Sequence, residues 1–356
     1  MKAAVLEGKA KMVYTDVPEP EPFGDHPVLV RVAAVGVCGS DIPRFAAEAA
    51  YHYPLILGHE FSAVVEEAPR SSRFSRGARV AAYPLIPNPT DPMVRAGEPA
   101  VSRGYDYFGS RRDGALAERL IVPEDNLVLL PDTVPLISAA LVEPSAVSLH
   151  AMLKVTLPPN ADALVIGGGP IGAFAAMWLR ILGCSRVIVA EIDERKQEIL
   201  RGQGFEVIDP KEKDTIAAVR ELTGDRGVDV AVEACGTHST FLQTLEVAAV
   251  FGRVVFLGDH HTDVTLSGQL ISSILRRELV IYGTWNSKMV PPGKSEWDMV
   301  LHHMGREFRV EPFISHTFAL SEAPQVFADI AARKAWYNKV VFVISEEARK
   351  EQRSGL

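Results

Sequence analysis

The stretch DALVIGGGPIGAFAAMWLRILG, beginning at Asp162, limits what this chain can fold into more than any other. An apolar run of strand length meets a glycine turn and then an apolar run of helical length, so a strand and a helix must meet at a corner where the glycines leave room. Alternation continues behind it, with RVIVAEID, a helical run after Asp193, FEVIDP, a helical run from Asp214, VDVAVEACG, a helix from His238, GRVVFLG and ELVIYGTW. Strand and helix in turn predict an α/β fold with a doubly wound parallel sheet.

Gly167, Gly169 and Gly172 satisfy the G-x-G-x-x-G pattern in the strand-to-helix setting that gives it meaning. The first glycine can make the turn, the second lets backbone approach a pyrophosphate, and the third permits close helix packing. Pro170 and Ile171 lie between the last two, where the helix N-terminus would face phosphates. Glu191, closing the second strand, would accept hydrogen bonds from adenosine ribose hydroxyls and repel a 2′-phosphate, which favours NAD over NADP. Asp193 is a second acid for the ribose, and Arg195 and Lys196 are cations within reach of the cofactor. Cations so placed are more often solvated charges on a helix face.

The N-terminal part has a different texture. VLVRVAAV from Val28 and FSAVVEEA after Glu60 read as short strands with Pro and Gly between them, so this half is expected to be β-rich. Between Asn88 and Tyr107 the chain shows no apolar period and reads as a surface loop. Past Ser287 the alternation lapses into PPGKSEW, and WYNKVVFVI offers a last strand that returns to the N-terminal domain. A chain of 356 residues exceeds what one core usually supports, which argues for two domains.

A net charge of -8 and the lack of a basic run interleaved with aromatics argue against nucleic acid as a partner. Cys38, Cys184 and Cys235 are too few and too scattered for a disulfide framework. MKAAVLEGKA lacks an apolar core of signal-peptide length, and no apolar run reaches the ~18 residues a membrane span needs. The reading is a cytoplasmic protein without membrane contact.

Cys38 in GVCGSD, then His59 and Glu60 closing LILGHE, offer a thiolate, an imidazole and a carboxylate, which are zinc ligands in type. Glu143 in LVEPSAVSLH is a distant acid that could complete the set. Taken singly, a residue like Cys38 is more often an inert small apolar side chain and one like His59 a core histidine.

GVCGSD, GHEFSA, GGGPIG with Glu191, and VEPSAVSLHA resemble, in that order, the motifs of the medium-chain zinc alcohol dehydrogenase superfamily. CGSDIPR, YHYPLILGHEF, YFGSRRDGALAE and ILRRELVIYGTW are similar to its sugar-alcohol branch. The resemblance implies a GroES-like catalytic domain over 1–156 and 288–356, split around a Rossmann dinucleotide-binding domain over 157–287, in a homodimer or homotetramer. It implies one catalytic Zn2+ held by Cys38, His59 and either Glu60 or Glu143, with Ser40 bonding the substrate alcohol and starting the route by which its proton leaves. Zinc would then act as a Lewis acid on a secondary alcohol that gives hydride to NAD. The substrate implied is a polyol, with or without a phosphate that Arg44, Arg111, Arg112 and Lys288 would hold. An amino alcohol such as threonine is the alternative within the enzyme class. A zinc-free enone reductase or a non-catalytic nucleotide binder would leave Cys38, His59 and two acids without a purpose.

Two departures stand out. Pro43 occupies the position where many relatives carry a relay histidine. Asn88, Asp91, Val94 and Ser102 fall where relatives place four cysteines for a structural zinc, so no structural zinc is expected.

Overall fold

A computed structural model describes residues 1–260, 262–290 and 293–354, so Pro291 and Pro292 of PPGKSEW lie outside the described residues. The chain divides into two compact units, Met1–Glu143 with Lys288–Leu356, and Pro144–Ser287. Its first crossing falls inside the helix Val142–Leu153 rather than after residue 156. The reason is local: Glu143 is hydrogen-bonded by Tyr107 of the first unit, whereas Ser145 accepts from Trp178 and Ser148 donates to Ile171 in the second.

The second unit is a six-stranded parallel sheet ordered Glu206–Ile208, Arg186–Ala190, Asp162–Ile166, Val228–Glu233, Ala248–Phe256, Val280–Gly283. The strand Asp162–Ile166 is buried throughout, as expected where helices cover both faces of a parallel sheet. Leu164, Ile188, Ala231, Val254 and Leu245 share one core; truncating a residue placed like Leu164 to Ala costs about 2–5 kcal/mol. The chain runs outward from Asp162–Ile166 to one side, then returns and builds the other. The order therefore reverses at the strand carrying the glycine turn, where a doubly wound sheet opens its ligand crevice.

Helices begin where short polar side chains can cap them. Asp193 accepts from the Lys196 amide and starts Glu194–Gly202, and Asp214 accepts from the Ala217 amide and starts Thr215–Thr223. The strand read from GRVVFLG begins earlier, at Ala248, which pairs with Val228 ahead of a register shift; within the shifted stretch Phe251 takes a left-handed conformation and its N–H bonds the Arg277 carbonyl.

In the first unit the strand Pro27–Gly36 pairs antiparallel with Glu60–Glu67, placing Gly36 opposite Glu60. The strand Lys339–Val343 also pairs antiparallel with Pro27–Gly36, with Val341 opposite Gly36, and parallel with Ile314–Phe318. Cys38, Glu60 and Lys339 therefore gather at one end of three neighbouring strands. Beneath the sheet lie Leu6, Val30, Phe61, Phe108, Phe327 and Phe342.

The segment from Asn88 to Tyr107 is not the bare loop its composition suggests. It holds the short helix Pro92–Arg95, a 3-10 turn Pro99–Val101 and the strand Asp106–Tyr107. Asp91 caps the helix through the Met93 amide at 2.8 Å and accepts the Arg103 amide at 3.0 Å. Asn88 donates to the Arg103 carbonyl, and Ser102 donates to the Pro99 carbonyl at 2.6 Å. These side chains are satisfied by backbone groups of their own segment. Among the described residues no helix is long and apolar enough to cross a membrane.

Desalted protein is expected to carry one zinc per chain by metal analysis. Asp91→Ala, at a cost of about 1 kcal/mol, should expose this segment to protease without altering metal content. A second zinc retained after Cys38→Ser would overturn the expectation.

Candidate metal and dinucleotide sites

Cys38 follows the strand Pro27–Gly36, and the chain turns at once into the helix Asp41–Ala46. The Asp41 carboxylate caps this corner by accepting the Cys38 amide at 3.1 Å. His59 and Glu60 sit at the entry to the paired strand. The ligand atoms of Cys38, His59 and Glu60 lie within 4.8 Å of one another, the one such group among the described residues. Glu143, at the start of its helix, is outside that group.

Each member has a second contact. The carboxylate of fully buried Asp41 lies 3.4 Å from His59 Nδ1, which leaves the other ring nitrogen for a metal. Glu60 Oε2 lies 2.5 Å from Lys339 Nζ, and that ammonium also donates to the Val37 carbonyl at 2.9 Å. Gly36 permits this pairing, since a Cβ there would stand 2.3 Å from Glu60 Oε2. Ser40 Oγ donates to Cys38 Sγ at 3.3 Å and accepts from Arg44 at 2.8 Å. Tyr107 donates to Glu143 Oε1 at 3.2 Å, its ring 5.6 Å from that of His59.

The electrostatics favour a cation. Burial pushes the His59 imidazole down, but the Asp41 carboxylate and Cys38 more than offset this and hold its pKa well above the ordinary histidine value. Burial also drives Glu143 upward, with His59 pulling it down and Glu60 adding to the rise. For Lys339, burial is outweighed by Glu60 and Cys38, and its pKa rises. Surroundings that keep a proton on a buried imidazole would equally hold a divalent ion there, and thiolate, imidazole and carboxylate are a zinc donor set. The residues present fit the metal.

Of the four cations expected at a substrate phosphate, Arg44 touches this cluster through Ser40 and Asp41. Arg111 lies over the Tyr51 and Tyr105 rings, Arg112 over Phe23 and beside Asp106, and Lys288 pairs with Glu98. Asp41, Tyr107 and Lys339 were not singled out from the sequence. Lys339 had one signal, a lone charge heading the apolar run VVFVI.

In the second unit, Gly169 caps the helix Pro170–Ile181, with Pro170 in its first turn and Ile171 after it. Nothing lies within 4 Å of where a Gly169 Cβ would stand, whereas a Gly172 Cβ would meet the Gly167 carbonyl oxygen at 1.9 Å. One glycine leaves space for a ligand; the other lets the helix close on the turn. Glu191 is buried against this turn, Oε2 accepting the Gly168 amide at 2.7 Å and Oε1 the Asp193 amide at 2.8 Å. Lys196, half-buried in the next helix, acts electrostatically on Cys235 beside the turn. The empty space over Gly169 and the acid beyond it fit a dinucleotide.

Residues 24–132 match the family of the alcohol dehydrogenase GroES-like domain, and residues 170–305 that of zinc-binding dehydrogenases. Galactitol 1-phosphate 5-dehydrogenase of Escherichia coli (strain K12) is 31% identical over 322 residues, covering 89% of this chain and 92% of that protein. The crystal structure of galactitol-1-phosphate dehydrogenase from Escherichia coli matches with a TM-score of 0.90 at 30% identity, over 96% of this chain and all of that one. A structure from Sinorhizobium meliloti 1021, described as a zinc-binding dehydrogenase bound to NADP, matches with a TM-score of 0.87 at 30% identity, covering 96% of this chain and 98% of that one.

Cys38→Ser and His59→Ala are each expected to strip zinc, measured by metal analysis, while NADH affinity stays within a few-fold. Asp41→Ala should weaken zinc by about 10–100-fold by loosening His59. Unchanged zinc retention in the Asp41 variant would remove its orienting role.

Proposed function

We propose, from the premise that this chain belongs to the medium-chain zinc-dependent alcohol dehydrogenase superfamily and to its sugar-alcohol branch, that it is an NAD-linked dehydrogenase of a polyol or polyol phosphate. The galactitol-1-phosphate-like substrate would lose hydride from a secondary alcohol and become a ketose or ketose phosphate. The observation that carries this reading is the thiol, imidazole and carboxylate of Cys38, His59 and Glu60 gathered beside the Ser40 hydroxyl.

When bound, zinc would polarise the alcohol oxygen as a Lewis acid, and the dinucleotide would take the hydride. Cys38 and His59 hold the metal, joined by Glu60 or Glu143. Glu60 is the acid inside the cluster, but its charge is shared with Lys339, while Glu143 is steadied by Tyr107. Asp41 fixes the His59 ring. Arg44 donates to one Ser40 lone pair, and the hydroxyl proton, which bonds Cys38 Sγ at 3.3 Å, would turn from that sulfur to the substrate oxygen. A guanidinium does not deprotonate, so Arg44 cannot pass a proton onward from Ser40. With Pro43 at the relay position, that proton leaves through water or a carboxylate. Arg44 is the cation best placed to hold an anionic group of the substrate.

Glu191 argues for NAD. Each of its oxygens accepts one backbone amide and keeps lone-pair capacity for a ribose hydroxyl, while its charge opposes a 2′-phosphate. Assembly into a homodimer or homotetramer is supported by the sheet edge of the second unit. Val280 and Ile281 are exposed there, and the neighbouring helix Gly268–Arg276 exposes Ile271 and Leu275. A second copy would cover this open apolar edge.

A screen of polyols, their phosphates and amino alcohols, followed by absorbance of the reduced cofactor, tests the activity. NAD should exceed NADP in kcat/KM, and galactitol 1-phosphate should exceed galactitol; equality of the second pair removes the phosphate, and equality of the first removes the role given to Glu191. Sedimentation should report an oligomer that Ile281→Lys reduces in size. A monomeric wild-type chain would refute the edge assignment.

A further inference from the structure

We propose that Glu233 is the positioning residue for the nicotinamide half of the dinucleotide, an inference that rests on the dinucleotide reading above. A doubly wound sheet binds a dinucleotide across two halves. The glycine turn and Glu191 belong to the adenosine half, so the nicotinamide half falls to the carboxyl ends of Val228–Glu233 and Ala248–Phe256.

Glu233 is the last residue of its strand and is fully buried. Its Oε1 accepts the Cys235 amide at 2.9 Å, the Gly236 amide at 2.9 Å and the Thr240 hydroxyl at 2.6 Å. Oε2 takes the Gly236 amide at 3.1 Å and lies 3.2 Å from His260 Nε2. The backbone carbonyl of the same residue accepts the Leu257 and Gly258 amides. One residue thus pins the loops that follow both strands.

Between those loops there is room for glycine alone. Gly236 has φ +70, and a Cβ on it would stand 2.3 Å from the Asp259 carbonyl oxygen. A Cβ on Gly258 would stand 2.4 Å from the Gly236 nitrogen and 2.6 Å from Glu233 Oε2. The carboxylate fills the seam left by the absent side chains. His260 is held by the rings behind it, edge-on to Phe241, which itself stacks on Phe256 at 4.0 Å. On the other side the Cys235 thiol donates to the Ile166 carbonyl and abuts Gly167. The seam therefore runs from the phosphate turn to the rim of the next strand, and the Cys235 and Gly236 amides and the Thr240 hydroxyl within it converge on one acceptor-only group.

Glu233→Gln separates this role from packing, since it keeps the volume but turns an amide NH2 toward converging donors. Fluorescence titration of NADH should show affinity lowered roughly tenfold or more, while calorimetry with AMP, which reaches only the adenosine half, stays within about twofold. Hydrogen exchange at the Cys235 and Gly236 amides should quicken. His260→Leu should weaken NADH in the same selective way without touching the strand. Equal loss of AMP and NADH binding would mean a general loosening of the unit and overturn the inference, as would unchanged NADH affinity. Wild-type protein that binds neither nucleotide would instead overturn the dinucleotide reading, and this inference with it.

Discussion

The ion pair between Glu60 and Lys339 is the interaction on which the first unit's arrangement turns. Removing two charges from water costs several kcal/mol each, and a buried ion left unpaired costs more than the pair returns. Glu60 heads one strand and Lys339 another, on opposite sides of Pro27–Gly36, so the pair is satisfied only when both strands are in register with Gly36. A slip by one residue would turn each charge to the opposite face. The same register carries Cys38 into reach of His59 and Glu60, so the candidate metal site and the ion pair are specified together.

What the sequence disclosed follows the range of each interaction. The glycine turn, Asp193 and Asp214 were readable because a cap or a turn acts within a few residues. Cys38, His59 and Glu60 could be recognised in type, but their meeting depends on strand pairing that spacing does not encode. Asp41 in CGSD carries no sign of a role in the sequence, because its partners, His59 and Arg44, meet it only when the Asp41–Ala46 helix is placed. The sequence presents Tyr107 as the end of a loop, yet its hydroxyl reaches Glu143. Of the four cations grouped by charge, three have partners away from the cluster, since charge in a sequence says nothing about which way a long side chain runs. The segment after Asn88 was misjudged because apolar periodicity is blind to order built from Asp91, Asn88 and Ser102 hydrogen bonds.

Both units use glycine to admit a carboxylate. Gly36 leaves room for Glu60, and Gly258 leaves room for Glu233. In each case the acid is buried and held by polar partners, an ammonium for Glu60 and amides with a hydroxyl for Glu233, so a small residue opposite it is part of the site.

The placement of Lys339–Val343 also bears on synthesis. Ribosomes deliver the strand Pro27–Gly36 early, but its neighbour on one side emerges only after the whole parallel-sheet unit has been made. During that interval the nascent first unit presents an unpaired edge and an uncompensated acid, while the second unit, whose sheet is closed within Pro144–Ser287, can already collapse. The strand Pro27–Gly36 thus waits for a partner that emerges after the whole parallel-sheet unit, and its open edge in that interval is a place for a chaperone to bind.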